Sequence, residues 1–132
     1  MNWLIIDKSI MEAIKEDVPQ NDITTEFIIS DECNCTVDLI AKENGVIAGL
    51  CVFERVFKIL GEVNIEFLKK DGDLVSEGNC IAKLKGKTKH ILTGERTALN
   101  YLQRMSGIAT LTKAYVDKLV GSRVKVLDTR KT

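Results

Sequence analysis

The chain has 132 residues, 45% of them hydrophobic and 29% charged, with a formal net charge of zero. That length carries one domain with a real core and little more. The neutral balance removes any global electrostatic case for nucleic acid or an anionic membrane surface as partner. No apolar run approaches the roughly 20 residues needed to span a bilayer. The opening Met1–Asp17 carries charges throughout and lacks the basic start and long apolar centre of a signal peptide, so a cytoplasmic protein is expected.

Four cysteines, Cys33, Cys35, Cys51 and Cys80, are expected as reduced thiols that act as small apolar residues in that compartment. One tight Cys-x-Cys followed by two scattered cysteines lacks the paired spacing of a zinc site, so no metal centre is expected from them.

The first helix is expected to start at Asp7 or Ser9, because Ser9 and Glu12 have capping-box spacing and Ile10, Met11 and Ile14 share a face. Pro19 stops it soon after Asp17. Asn21 to Thr25 is a polar loop that could cap a short turn near Glu26. From Cys35 to Lys42 the pattern has period two, with Cys35, Val37, Leu39 and Ala41 on one face of a strand. Asn44-Gly45 suits a tight hairpin, from which Val46 to Ala48 would return. Val52, Phe53, Val56, Phe57 and Leu60 sit at helical spacing before a stop at Gly61. Val63, Ile65 and Phe67 alternate as a strand, Asp71-Gly72-Asp73 makes a plain turn, and Cys80 to Leu84 forms a further strand. That turn also resembles turns in swinging-arm carrier domains, but the hairpin-tip lysine and methionine context of such domains is absent.

His90 opens a long helical region in which Leu92, Leu99, Leu102, Met105 and Ala109 mark a buried stripe. Ser106-Gly107 interrupts it, predicting two helices with Ser106 as N-cap of the second. The small residues Ser106, Gly107, Ala109 and Thr110 suit close packing, and Gly121 is a natural stop. Val124, Val126 and Leu127 would form a strand that runs out into Asp128-Thr129-Arg130-Lys131-Thr132. Strands and helices mix without regular βαβ alternation, which predicts an α+β domain over 1–105. Linker helix and a first strand of something else would occupy 106–132.

The candidate chemistry lies in two places. At the end of a strand in an α/β fold, Arg130 beside Lys131 offers a planar donor fork and a point charge, with Thr129 adding a hydroxyl. Such a set suits carboxylates or phosphates, or is simply a solvated strand end. Arg96 follows Glu95, which cannot share its helix face, so no pair between the two is expected; Arg96 would reach a ligand, a carboxylate or another subunit, or form a surface or interface ion pair. His90 has no acidic or nucleophilic neighbour in sequence and reads as a surface residue at a helix start.

Taken together, Glu16-Asp17, Asp22-Ile23-Thr24-Thr25, Gly45 with Gly49, the run GERTALNYLQRMSGIATLT from Gly94 to Thr112, and DTRKT at the end resemble the quinolinate phosphoribosyltransferase family, also called nicotinate-nucleotide pyrophosphorylase (carboxylating). The resemblance implies an N-terminal α+β sandwich, an antiparallel sheet packed with helices, followed by linker helices and the first strand of an α/β barrel that is otherwise absent. It implies transfer of phosphoribosyl from phosphoribosyl pyrophosphate to quinolinate with decarboxylation, giving nicotinate mononucleotide, pyrophosphate and CO2 for NAD synthesis, with Mg2+ assisting. It also implies a head-to-tail homodimer with shared sites. Arg96 looks like the family's arginine that enters the neighbouring subunit's site, and Thr129, Arg130 and Lys131 look like its substrate-binding run. Because no phosphate loops or later barrel strands follow Thr132, the chain alone is expected to be an inactive portion. A related phosphoribosyltransferase-like protein of molybdenum transport shares the GERTALN-type region, and a stand-alone dimerisation module is the reading from a different class.

Overall fold

The computed structural model describes residues 2–18, 28–61 and 63–129. Eight elements follow in chain order: α1 (Trp3–Asp17), β1 (Asn34–Ile40), β2 (Gly45–Val46), α2 (Leu50–Leu60), β3 (Val63–Phe67), β4 (Leu74–Val75), β5 (Cys80–Lys87) and α3 (Thr88–Lys118). Mixed helices and a small antiparallel sheet give the expected α+β class. Among the described residues, no helix is long and apolar enough to cross a membrane.

The main sheet has order β1-β5-β3, with both pairs antiparallel. Its register sets Leu39, Ala82 and Phe67 in one cross-strand row and Val37, Leu84 and Ile65 in the next. Because side chains alternate along each strand, the intervening rows are polar: Asp38, Lys83 and Glu66 lie across from one another. Lys83 therefore sits between two carboxylate-bearing positions, while the apolar rows face the helices. The period-two expectation for β1 and β3 holds. Val37, at the sheet edge, remains exposed.

The hairpin expected at Asn44-Gly45 does not form. β1 pairs with β5, and β2 pairs instead with β4 in a separate two-stranded ladder. Burial decides between the two arrangements: Val46 and Val75 are both buried in the observed pairing. The Asn44 side chain takes another task, accepting the Glu77 N–H at 3.0 Å.

Helix α1 begins at Trp3, earlier than expected, with no side-chain cap at Asn2. Its first turns are held by tertiary contacts. The Arg55 guanidinium donates to both carboxylate oxygens of Asp7, at 2.8 and 2.7 Å, and lies 5.4 Å from the Trp3 ring centroid. Ser9 consequently lies inside the helix, and its hydroxyl shares a 3.1 Å hydrogen bond with that of Tyr101. The inward stripe is Ile6, Ile10 and Ile14 rather than one including Met11, which is exposed.

Helix α2 buries Leu50, Val52, Phe53, Val56 and Phe57, with Phe53 and Phe57 edge to face at 5.2 Å, and Gly61 ends it as expected. The 71–73 turn also forms, with an added role for Asp71. One of its carboxylate oxygens accepts the N–H groups of Gly49 and Leu50, both at 3.0 Å, capping α2 from a distant segment.

The two helices expected around Ser106-Gly107 are one helix of 31 residues. Ser106 is not an N-cap. Its hydroxyl accepts the Ala48 N–H at 3.1 Å and donates to the Ala48 carbonyl at 3.3 Å. One turn on, the Thr110 hydroxyl accepts the Val46 N–H at 2.9 Å and donates to the Ser106 carbonyl at 2.7 Å. The helix thus satisfies the open edge of β2, and that tertiary bonding outweighs the weak helix preference of a Ser-Gly pair. The expected boundary at 105/106 falls inside this helix. After α3, Gly121 takes φ +86° and the helix closes with the Ser122 N–H on the Leu119 carbonyl. Val124–Leu127 is exposed chain with no ladder partner, not a strand of a described sheet. A strand needs a neighbour to satisfy its backbone, and the described residues supply none.

All four cysteines are free thiols, Cys33 exposed and the others half-buried. Asn21–Thr25 and Pro19 lie outside the described residues.

Two predictions follow from this packing. Ser106→Ala leaves the part-buried Ala48 backbone groups without their partner and is expected to lower unfolding free energy by about 1–3 kcal/mol. The adjacent Gly107→Ala, which meets open space, is expected to raise it by up to about 1 kcal/mol; urea denaturation reads both. Arg55's hydrogen bonds hold the Asp7 carboxyl below its usual value. A depressed carboxylate pKa stabilises above the unfolded-state value of about 4 and loses that contribution as pH falls through the folded value. The stability gap between the parent and Asp7→Asn is therefore expected to be full at neutral pH and to close below about pH 4, in acid denaturation monitored by circular dichroism.

Candidate functional site

Helix α3 turns Ile91, Gly94, Thr97, Ala98 and Leu102 inward. Gly94 is needed there, since a Cβ would come within 2.8 Å of Leu60 and 2.9 Å of Phe57. Glu95 and Arg96 consequently fall on the outer side, and the Arg96 side chain is 74% exposed. Its Nη1 donates to Asp17 Oδ1 at 2.6 Å, and the Asp17 side chain is only 17% exposed. This ion pair ties the last residue of α1 to α3. Asp17 also lines a groove of about 380 Å³ together with Glu16, Thr97, Asn100, Tyr101 and Arg104. The arrangement is cation-bearing, open to solvent and backed by a rigid helix, which suits recognition of a planar anion.

Thr129 is exposed on the segment after α3. Among the described residues no hydrogen bond joins it to Arg96, so the structure does not gather these two into one site. Arg130 and Lys131 lie outside the described residues. His90 is half-buried rather than on the surface. Its Nδ1 is buried without a hydrogen-bond partner, and its ring fills the space beside Gly61. Among the described residues no group of three or more His, Cys, Asp or Glu side chains is arranged to hold a metal ion.

Two residues matter that the sequence reading did not single out. Asp71 caps α2. Asp17, noted only as half of a motif, is the partner of Arg96. A signal for Asp17 existed: a carboxylate in the last turn of a helix is opposed by the macrodipole and calls for a nearby cation.

A second groove, of about 650 Å³, runs between the β1–β2 connection and the later half of α3, past Leu39, Ala41, Leu102 and Thr110. Leu111 on its wall is exposed, as are Ile108 and Tyr115 on the same helix.

Fold and exposed arginine define the class as an α+β domain whose long helix carries Arg96 on its outer side. Residues 22–106 match the family model for the quinolinate phosphoribosyl transferase N-terminal domain. The chain is 38% identical over 134 residues to a probable nicotinate-nucleotide pyrophosphorylase (carboxylating) of Bacillus subtilis, covering 100% of this chain and 46% of that protein. It is 38% identical over 125 residues to quinolinate phosphoribosyltransferase (decarboxylating) 1b of Nicotiana tabacum, covering 93% of this chain and 35% of that one. Among solved structures it superposes on NadC from Streptococcus pyogenes with a TM-score of 0.94 and 43% identity, over 100% of this chain and 47% of that one. The chain belongs to the quinolinate phosphoribosyltransferase family, whose N-terminal domain it contains. It spans about half the length, or less, of the relatives it matches.

Arg96 is not needed for the fold. An ion pair with so exposed an arginine contributes little, so Arg96→Ala is expected to change unfolding free energy by no more than about 1 kcal/mol. Thermal or urea unfolding of the variant checks this.

Proposed function

We propose that this chain is the N-terminal part of an enzyme that transfers phosphoribosyl from phosphoribosyl pyrophosphate to quinolinate. The products are nicotinate mononucleotide, pyrophosphate and CO2, in a cytoplasmic route to NAD. The observation that carries the reading is Arg96, an exposed cation within the stretch 22–106 that matches the family model, in a chain whose relatives are named for this reaction. Residues 1–105 would form the sandwich unit, and 106–132 would lead into the barrel.

In this reaction the pyridine nitrogen lone pair forms the bond to the anomeric carbon as the bond to pyrophosphate oxygen breaks. The 2-carboxylate later departs as CO2, leaving its electron pair on the ring carbon, which takes a proton. Arg96 would bind a quinolinate carboxylate and Thr129, Arg130 and Lys131 would line the same pocket, fixing the ring nitrogen toward the ribose. Because Arg96 points away from its own core, it would serve the site of a second copy in a head-to-tail homodimer. Mg2+ would accompany the pyrophosphate of the substrate rather than sit on the described residues.

The exposed Ile108, Leu111 and Tyr115 favour a second reading, in which the chain alone is a dimerisation module. Calorimetry with quinolinate separates the possibilities, comparing the 132-residue chain with the same chain continued through the second half of the Streptococcus pyogenes relative. Only the longer protein is expected to bind and turn over. Arg96→Ala and Arg130→Ala are each expected to weaken binding roughly tenfold to a hundredfold, the value of a charge-assisted hydrogen bond of about 1.5–3 kcal/mol. A longer protein indifferent to quinolinate would remove the substrate assignment and favour the molybdenum-transport relative. A stable oligomer of the short chain, with no quinolinate binding by either protein, would favour the module.

A further inference from the structure

We propose that Asp17 is a positioning residue that holds the Arg96 guanidinium in one orientation for an incoming carboxylate. The inference deepens the proposed function and rests on Arg96 contacting substrate there. A guanidinium carries five donors in a planar fork. Asp17 takes the Nη1 corner at 2.6 Å, and among the described residues the Nε and Nη2 edge has no hydrogen-bond partner. That edge is the one that pairs side-on with a carboxylate, so the contact that fixes the side chain leaves its recognition face open.

The need for such a device follows from exposure. An arginine 74% exposed on a helix would otherwise move among many rotamers, and binding a ligand would first have to order it. Asp17 is well placed to do the ordering. Its side chain is 17% exposed, it ends α1, and it lines a groove beside α3. A shielded carboxylate of this kind is stabilised by its cation and has little freedom of its own. α1 is in turn anchored by Asp7 on Arg55 and by Ser9 on Tyr101, so the fixed end of the pair is tied to the fold at two further points.

A competing effect has the opposite sign. Asp17 carries negative charge near a site for a dianion, so as a bare charge it would repel quinolinate, and its removal would strengthen binding. The two effects separate in KM measurements on the chain continued through the relative's second half. If Asp17 positions Arg96, Asp17→Ala raises the KM for quinolinate about tenfold and leaves the KM for phosphoribosyl pyrophosphate unchanged. Asp17→Asn, which keeps the accepting oxygen, retains most of the parent affinity. In an Arg96→Ala background, Asp17→Ala adds nothing, because its effect passes through the arginine.

An unchanged or lowered quinolinate KM in Asp17→Ala, or the same factor with and without Arg96, overturns the positioning role and leaves the proposed function standing. An Arg96→Ala variant with unchanged quinolinate KM removes the underlying reading itself. On the 132-residue chain, nitrogen-15 relaxation gives a second measurement: the order parameter of the Arg96 Nε–H is expected to fall in Asp17→Ala. Equal order parameters in the two proteins overturn the ordering step directly.

Discussion

The close approach of one helix to its neighbours is the constraint on which this structure depends. α3 packs against α1, α2, β2 and β5, and it does so through residues too small to keep those elements apart. Gly94 admits Phe57 and Leu60, Ala98 is fully buried, and Ser106 and Thr110 bring the helix within hydrogen-bonding distance of β2. The last contact is unusual in kind. Val46 lies in β2 and Ala48 two residues beyond it, while Ser106 and Thr110 repeat one helical turn apart, so two hydroxyls bond the backbone along this edge. A short edge strand with open backbone groups is thereby covered rather than left to pair elsewhere.

Much of this was legible before the structure, and the failures have a common cause. The alternating strands at β1 and β3 and the apolar face of α2 are periodic signals carried by several residues each, and they survive folding, as does the Gly61 stop. The errors came from local signals overruled by distant partners. Ser9 looked like a cap but bonds Tyr101. Asn44-Gly45 looked like a hairpin but Asn44 serves Glu77, and Ser106-Gly107 looked like a break but Ser106 serves Ala48. In each case a polar side chain that could satisfy the backbone nearby satisfies a group far along the chain instead. No single-residue rule distinguishes these outcomes, because the deciding partner is 33 to 92 positions away.

The candidate site was less legible. Arg96 was found by its motif, and its exposure agrees with an outward role. Its partner Asp17 was visible only as part of a resemblance, since pairing residues that lie 79 positions apart requires knowing how α1 crosses α3. The carboxylate's position at the wrong end of a helix dipole was a usable hint. Thr129, Arg130 and Lys131 were also located by motif; Arg130 and Lys131 lie outside the described residues. Thr129 lies on exposed chain.

This division between a rigid cation and an unsupported strand end has a physical logic. On the proposed reading Arg96 would be prepared in advance, because its helix and its partner Asp17 both belong to the described fold. Residues 119–129, by contrast, join neither of the described sheets. The apolar side of α3 at Ile108, Leu111 and Tyr115 stands between the two. Covering that surface would both release the water held against it and bring ordered structure to the segment that follows. Assembly and completion of a binding site would then be coupled, with burial of this helix face driving the ordering of a strand end that has no support by itself.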